Sequence, residues 1–209
     1  TFTNTHIPEK IKLSGDKTWN DYNNVMNYRP DTITLNLYDA DDMNTVLQSK
    51  RVTASDNWSY EFTDLYKYKN HGQEIVYTVK EEEVDYYTST VTGINVSNKL
   101  KTGTVTLIKE SGTNESMKDV TFELYRADGT KLSANFAGNF YIFAGADGVG
   151  VSTFKTNSSG KLIIKSLPIG SYYFVEVSTL EGYMPYAGRI NFSVYESTEQ
   201  TMNPNITVK

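Results

Sequence analysis

The segment IKLSGDK, residues 11–17, alternates between residues that suit a buried sheet face and polar residues that suit solvent. Ile11, Leu13 and Gly15 share one side of the predicted strand with Lys17, because side chains two residues apart on a strand point the same way. The segment therefore predicts a strand whose inner face carries an amine. Burying a lone charge is costly, so this lysine requires a compensating group elsewhere in the chain.

The same two-residue period recurs along the first half of the chain, whereas no long stretch holds the 3.6-residue apolar period of a helix. Further examples are residues 33–37, 76–79 and 94–96. Turn-forming clusters such as DADDMN (39–44) and KYKNHG (67–72) separate these segments. Tyr, Phe, Val, Ile and Thr are abundant, and such residues favour pleated, half-buried surfaces. The pattern predicts an all-β sandwich of short strands.

The second half of the chain repeats this scheme with a period of about 100 residues, which indicates two copies of one domain. Each half opens with a predicted strand that ends in a lysine (Lys17, Lys109) and has a late strand that ends in a glutamate (Glu81, Glu176). We predict one sandwich at residues 9–99 and a second at residues 100–209. The two would stand in tandem with a very short connection.

Two segments fit this scheme less regularly. The Gly-rich stretch 132–154 is predicted to form an elaborated hairpin or a loop. Residues 1–8, TFTNTHIP, are predicted to be the tail of an upstream domain or a linker, because Phe2 and Asn4 match the spacing of Val96 and Asn98. This interpretation makes the chain a piece of a multi-domain rod.

Composition argues against several classes of protein. The net charge is −5 with no basic stripe, unlike a nucleic-acid-binding protein. No apolar run approaches the roughly 18 residues needed to insert across a membrane. The absence of cysteine excludes a disulfide framework and a thiolate metal site. His6 and His71 lie beside turn-forming residues and are expected in exposed loops. We predict no cofactor and no metal, since DADDMN lacks the spaced ligands of a calcium loop.

Three polar residues are candidates for chemistry. Glu81 and Asn98, like Lys17, each follow two inward-facing residues at two-residue spacing, so an amine, a carboxyl and a carboxamide would share one apolar interior. Burial lowers the pKa of a lysine and raises that of a glutamate. A neutral amine could then attack the asparagine carbonyl, with the glutamate as general acid and base. The alternative is a lysine that reaches solvent and simply pairs with the glutamate.

Several ordered motifs resemble a known family. SGDKTWND (14–21), RPDTITLNLYD (29–39), EIVYTVKEEEVDYYT (74–88) and GINVSNK (93–99) resemble the B-type repeats of collagen-adhesin-like surface proteins, the CnaB family. In the second half, GTVTLIKES, FELYRADG and TNSSGKLIIKSLPIGSYYFVEVSTLEGY resemble the pilin branch of the same fold. The resemblance covers nearly the whole chain and implies two tandem Ig-like, reverse-Ig sandwich domains.

The resemblance also implies a self-formed isopeptide bond in the first domain, joining Lys17 to Asn98 with Glu81 as the promoting acid. In the second domain it assigns the corresponding roles to Lys109 and Glu176. These bonds form once and consume their own reactants, so the chain is not expected to be an enzyme with a diffusible substrate.

One departure from the family pattern affects the acid. The sequence reads DYY at residues 85–87, where relatives have DGY or PGY, so Glu82 and Glu83 are alternatives to Glu81. Among the three, only Glu81 is in phase with the apolar residues of its strand and lies within the strand's expected length.

The sequence does not directly indicate which residue of the second domain corresponds to Asn98. By the spacing of the first domain it would follow Ile206 and Val208 at the next in-phase position, one residue past Lys209. Asn205 and Asn203 are the alternatives, but both are out of phase and would face away from the lysine. We therefore expect that this chain forms no second bond and that the lysine of the second domain pairs with its glutamate.

The resemblance implies an extracellular, cell-wall-anchored stalk or pilin segment of a Gram-positive adhesin or pilus. Its expected partners are neighbouring domains or pilin subunits. The alternative is an adhesin module that binds a host matrix or cell-surface ligand directly, through the predicted loop 136–154 with its NFYIF aromatics (139–143).

Overall fold

The computed structural model describes residues 7–70, 72–196 and 204–209, and these residues fold as two compact units. The first unit comprises the residues up to Asp21 together with Asn27–Lys99. The second comprises Leu100–Lys209 and also takes in Tyr22–Met26. His6, Phe2 and Asn4, and the predicted tail 1–8 apart from its last two residues, lie outside the described residues, as does His71.

The first unit is formed by short strands whose inward and outward residues alternate. Its strands are β1 (Lys10–Asn20), β2 (Thr32–Asp39), β3 (Gln48–Thr53), β4 (Ser59–Tyr66), β5 (Tyr68–Lys69), β6 (Gln73–Glu74), β7 (Tyr77–Glu81), β8 (Tyr87–Thr92) and β9 (Asn95–Leu100). A short 3-10 turn, Ala54–Asp56, connects β3 to β4.

Two sheets of the first unit pack face to face. One has the strand order β4-β1-β9-β8 and the other the order β3-β2-β7, while β5 and β6 pair as a separate ribbon. The core draws on both sheets, including Leu35 and Leu37 from β2 and Phe62 from β4. Strands β1 and β9 run parallel, so the first and last strands of the unit lie side by side. The sandwich predicted from the alternation is confirmed.

Gly15 lets β1 approach its neighbours closely. It lies opposite Tyr60 on β4, and an added Cβ would lie 2.7 Å from the Ile94 carbonyl oxygen and 2.9 Å from the Tyr60 ring. The Tyr60 hydroxyl donates a hydrogen bond to that same Ile94 carbonyl. The glycine therefore makes room for a ring that ties β4 to the turn before β9.

The second unit follows the same plan with larger sheets. Its strands are β10 (Thr102–Lys109), β11 (Thr121–Arg126), β12 (Leu132–Phe136), β13 (Tyr141–Ala146), β14 (Phe154–Lys155), β15 (Lys161–Pro168), β16 (Gly170–Ser178), β17 (Arg189–Val194) and β18 (Asn205–Val208). The sheets have the orders β12-β13-β15-β10-β18 and β14-β11-β16-β17. Leu107, Phe122, Leu162 and Phe174 are fully buried between them.

Two predicted strand ends are wrong: β1 continues past Lys17 to Asn20, and β16 continues past Glu176 to Ser178. The stretch 132–154 contains a hairpin of β12 and β13, with a register shift between Ser133 and Ala134, followed by a turn and the short β14, so the hairpin alternative is the right one. The described residues contain no helix with the length and hydropathy needed to cross a bilayer.

Candidate functional site

The amine of Lys17 lies in the interior of the first unit. Lys17 sits within β1 on the inward-facing side, and its side chain has no exposed surface. Strand β1 is held on one side by β4 and on the other by β9, and the Lys17 amide donates to the Trp58 carbonyl at 2.8 Å. Because the backbone is fixed on both sides, the lysine cannot swing its side chain out to solvent.

A carboxylate meets this amine from the opposite sheet. Glu81 is the last residue of β7, pairs with Leu35 of β2, and places its Oε1 3.2 Å from Lys17 Nζ. Its side chain is 1% exposed, whereas Glu82 and Glu83 are exposed. The structure thus brings Glu81, of the three candidate glutamates, into the interior with the lysine.

The carboxamide of Asn98 lies on the strand next to the lysine. In the parallel pairing of β1 and β9, Lys17 lies opposite Val96 and Trp19 lies opposite Asn98. Asn98 is fully buried, and among the described residues neither its Oδ1 nor its Nδ2 has a hydrogen-bond partner. A buried side-chain amide without a hydrogen-bond partner lowers the stability of the folded state. Such a group in a native structure requires an explanation, and a chemical role is one.

Burial changes the protonation of the lysine. Desolvation lowers the pKa of Lys17 from its ordinary value of 10.5 to about 8, even though the nearby Glu81 carboxylate acts in the opposite direction. At pH 7 about one-tenth of such an amine is uncharged, compared with well under one-thousandth at the ordinary value. At neutral pH the site therefore holds an amine that is partly uncharged, next to the Glu81 carboxyl group and a carboxamide without a hydrogen-bond partner among the described residues.

An aromatic and ionic network that is not evident from the sequence borders this site. Lys17 Nζ lies 4.2 Å from the centroid of the Trp19 ring, which is in edge contact with Trp58 and Tyr87 at 5.1 and 4.9 Å. Trp19 could have been found, because it is two residues after Lys17 and so in phase with it.

The ionic part of the network is centred on Asp21, which is buried. Arg29 donates to both carboxylate oxygens of Asp21 at 2.6 Å, and the Tyr87 hydroxyl donates to it at 3.0 Å. The guanidinium lies 5.6 Å from the centroid of the Trp19 ring. Asp21 lies beyond the end of β1 and Arg29 lies before β2, so no strand periodicity signals their pairing.

The second unit has a similar amine–carboxylate pair. Lys109 ends β10, and its Nζ lies 3.1 Å from Oε2 of Glu176 on β16, with side chains 5% and 0% exposed. Gly160 holds the end of this strand, since its carbonyl accepts from the Lys109 amide at 2.8 Å and an added Cβ would meet the Lys109 carbonyl at 2.5 Å.

The residue beside this second pair is apolar. Strand β18 runs parallel to β10 and places Val208 opposite Lys109, just as Val96 lies opposite Lys17. Asn205 lies opposite Thr106 with its side chain exposed, so it does not face the lysine. Asn203 is outside the described residues.

The acidic turn and the NFYIF segment lie away from these lysines. In the acidic turn 39–44, Asp39 and Asp41 both bind the amine of Lys69, so this lysine of β5 neutralises part of the turn's negative charge. In the segment NFYIF, Tyr141 and Phe143 are buried in β13 and do not present aromatic surface, although Ile142 is exposed. Of the predicted loop 136–154, the exposed aromatic residue is Phe136.

Comparison with known proteins gives two family matches. Residues 13–99 match the model of the Cna protein B-type domain, and residues 103–207 match that of the prealbumin-like fold domain. A collagen adhesin of Staphylococcus aureus is 36% identical over 132 residues, which is 59% of this chain. The matched region spans only 11% of the length of that relative.

Two solved structures are similar to this chain. The Bacillus anthracis TIE protein is 16% identical, with 95% of this chain and 33% of that chain covered and a TM-score of 0.56. A single B repeat unit of the collagen-binding surface protein of Staphylococcus aureus is 24% identical, with 90% of this chain and 100% of that chain covered and a TM-score of 0.41.

Proposed function

The chain belongs to the Cna B-type and prealbumin-like fold domain families, and from this premise we propose that it is a structural stalk segment of a Gram-positive surface adhesin or pilus. The curated relative is a collagen adhesin, and this similarity supports a location outside the cell for this chain. Anchoring to the cell wall, and neighbouring domains or pilin subunits as partners, are part of the proposal. No diffusible substrate is assigned to it.

The observation that carries the proposal is the buried set Lys17, Glu81 and Asn98. The neutral amine of Lys17 attacks the side-chain carbonyl carbon of Asn98, forming the Nζ–Cγ bond. Glu81 takes a proton from the amine and delivers it to Nδ2, so the Cγ–Nδ2 bond breaks and ammonia leaves with the electron pair. The product is an intramolecular amide between the first and last strands of the unit. No oxidant, reductant or second molecule is required.

Such a bond suits a stalk. Strands β1 and β9 lie side by side in parallel, so a covalent link between them carries tension that the backbone hydrogen bonds would otherwise bear. It also closes a loop of about 80 residues, which by analogy with disulfides stabilises the folded state by about 4–5 kcal/mol.

The test is the mass of the folded chain. We expect the loss of one ammonia relative to the mass calculated from the sequence, and a peptide map in which the Lys17 and Asn98 peptides are joined. Glu81→Ala should fold but lose no ammonia, so its mass should equal the value calculated from its own sequence. Separate, unmodified Lys17 and Asn98 peptides at full yield from the parent chain would contradict the proposal.

A ligand-binding adhesin module is the alternative. The burial of Tyr141 and Phe143 leaves Phe136 and Ile142 as the exposed apolar side chains of that hairpin, so the aromatic surface on which this alternative depends is reduced. A binding screen of the chain on host matrix proteins tests it independently of the mass measurement.

A further inference from the structure

Trp19 flanks both groups that the proposed reaction joins. It follows Lys17 by two residues on the inward face of β1, and in the register of β1 and β9 it lies directly opposite Asn98. Its ring centroid is 4.2 Å from Lys17 Nζ. The tryptophan is thus the residue of β1 whose side chain lies next to the amine on one strand and level with the carboxamide on the other.

The ring is held from several sides. Trp58 and Tyr87 both contact it edge-on at interplanar angles of 69°, which is a favourable arrangement for aromatic pairs. Tyr87 is itself tied by its hydroxyl to Asp21, which also binds Arg29 through two hydrogen bonds. A ring braced in this way has little freedom to move when the amine beside it changes its charge or position.

From this arrangement we propose that Trp19 is a positioning residue, whose braced ring face holds the Lys17 amine in place for attack on Asn98 and keeps water out. The proposal rests on the proposed cross-linking function. A lysine side chain has four rotatable carbon–carbon bonds, and a reaction between two groups of one chain is fast only when they are held in a near-attack geometry.

The described residues of the second unit provide no equivalent of this ring. The residue two positions after Lys109 is Ser111, whose hydroxyl accepts hydrogen bonds from the amides of Thr113 and Glu115 in the following turn. Among the described residues no aromatic ring lies over the Lys109 amine, whereas Lys165 and Arg189 of the same unit do lie over rings. The ring is therefore specific to the first of the two lysines.

The experiment compares Trp19→Phe with Trp19→Leu in the full chain. Trp19 Nε1 makes no hydrogen bond among the described residues, so phenylalanine keeps the ring face without removing a partner. Each protein is purified unfolded from inclusion bodies and diluted into native buffer. Ammonia loss is then followed by intact mass. We expect Trp19→Phe to react within about threefold of the parent and Trp19→Leu to be slower by about tenfold or more.

Two controls separate positioning from stability. The same two substitutions in an Asn98→Ala background, which cannot react, give the thermal midpoint of each fold, and rates are compared at a temperature where both remain fully folded. Tyr125→Leu removes a stacked ring of the second unit and should leave the rate unchanged.

Each outcome decides the proposal. A Trp19→Leu chain that is folded and reacts at the parental rate overturns the positioning role while leaving the cross-link proposal intact. Equal slowing by phenylalanine and leucine also overturns it, because the ring face would then not be the feature that matters. If the parent itself loses no ammonia, the proposed function fails first, and that result is visible before any variant is made.

Discussion

The two buried lysines share a strand position but differ in what lies beside them. Lys17 and Lys109 each meet a glutamate of the opposite sheet, at 3.2 and 3.1 Å. Beside Lys17 the parallel strand carries Val96 and then the buried Asn98, whereas on the described part of β18 Val208 lies opposite Lys109 and Asn205 is exposed. Among the described residues, a buried amine and a buried carboxyl group are therefore common to both units, and a buried carboxamide on the neighbouring strand is seen in the first unit.

The comparison shows why a buried pair is not in itself a stabilising device. Taking an amine and a carboxylate out of water costs about as much as their attraction returns. A reaction that removes both the charge and a free amine changes this balance. We propose that the first unit undergoes this reaction, and that the second unit keeps its Lys109–Glu176 ion pair.

Removing the acceptor should produce the largest effect. In Asn98→Ala the bond cannot form, and we expect the first unit to lose about 4–5 kcal/mol of unfolding free energy because the loop constraint is lost. The measurement is the denaturant midpoint of the first unit, followed by Trp19 and Trp58 fluorescence. The matched control is Asn205→Ala, an exposed asparagine on the corresponding strand of the second unit, which should change stability by less than about 0.5 kcal/mol. Equal effects would contradict the assigned difference.

An acceptor placed beside Lys109 should convert the second unit into a copy of the first. An asparagine added directly after Lys209, followed by a short polar tail, would lie opposite Ser111 if the pairing of Lys109 with Val208 continues. We expect a second ammonia to be lost and the second unit to gain about 4–5 kcal/mol. An added alanine is the control. If no second ammonia is lost after prolonged incubation, then either the pairing of β10 with β18 does not continue past Val208, or the reaction requires an aromatic ring beside the lysine.

The pH dependence of the uncross-linked first unit should reveal its buried amine. The pKa of Lys17 is lowered from 10.5 to about 8 in the folded state, so the unfolded chain binds more protons between these values. The unfolding free energy therefore rises with pH across this window, and the full penalty is present below about pH 8. In an Asn98→Ala background we expect a gain of up to about 3 kcal/mol.

The control for this titration is Lys17→Met in the same background. The methionine has no charge to desolvate, so subtracting its profile removes the contribution of tyrosines that titrate at high pH. If the two profiles run parallel across the window, the amine is not desolvated in the folded state.

Much of the fold could be predicted from the sequence because the two-residue period reports which side chains face inward. That period identified Lys17, Glu81 and Asn98, and the structure places all three inside. It could not show that the lysine and the asparagine share neighbouring strands, because register between segments about 80 residues apart depends on the whole sheet. In this respect the family resemblance, and not the spacing, supplied the information.

Other features were missed for identifiable reasons. The Asp21–Arg29 pair lies in irregular backbone between β1 and β2, where no periodicity applies. In the hairpin of the second unit, Tyr141 and Phe143 do alternate inward, but the surrounding glycines favoured a loop interpretation. In this segment the glycine content led to a loop prediction, although the two-residue alternation correctly indicated a strand.

The smallest predicted effect concerns the packing that carries the first lysine. Gly15 lies two residues before Lys17 on the same face, and an added Cβ would come within 3 Å of the Ile94 carbonyl and the Tyr60 ring. The carbonyl is backbone and the ring is buried, so neither can yield freely, and the strain reaches the turn from which β9 starts. We expect Gly15→Ala to cost about 1–3 kcal/mol, as overpacking of a core does.

The matched substitution is Gly112→Ala in the second unit, where an added Cβ has no atom within 4 Å, and it should be nearly neutral. Thermal midpoints are best compared in the Asn98→Ala background, where no covalent bond masks the loss. Equal midpoints for the two alanine variants would mean that β1 has room to move at this point, and the fixed position assigned to the Lys17 amine would then need another cause.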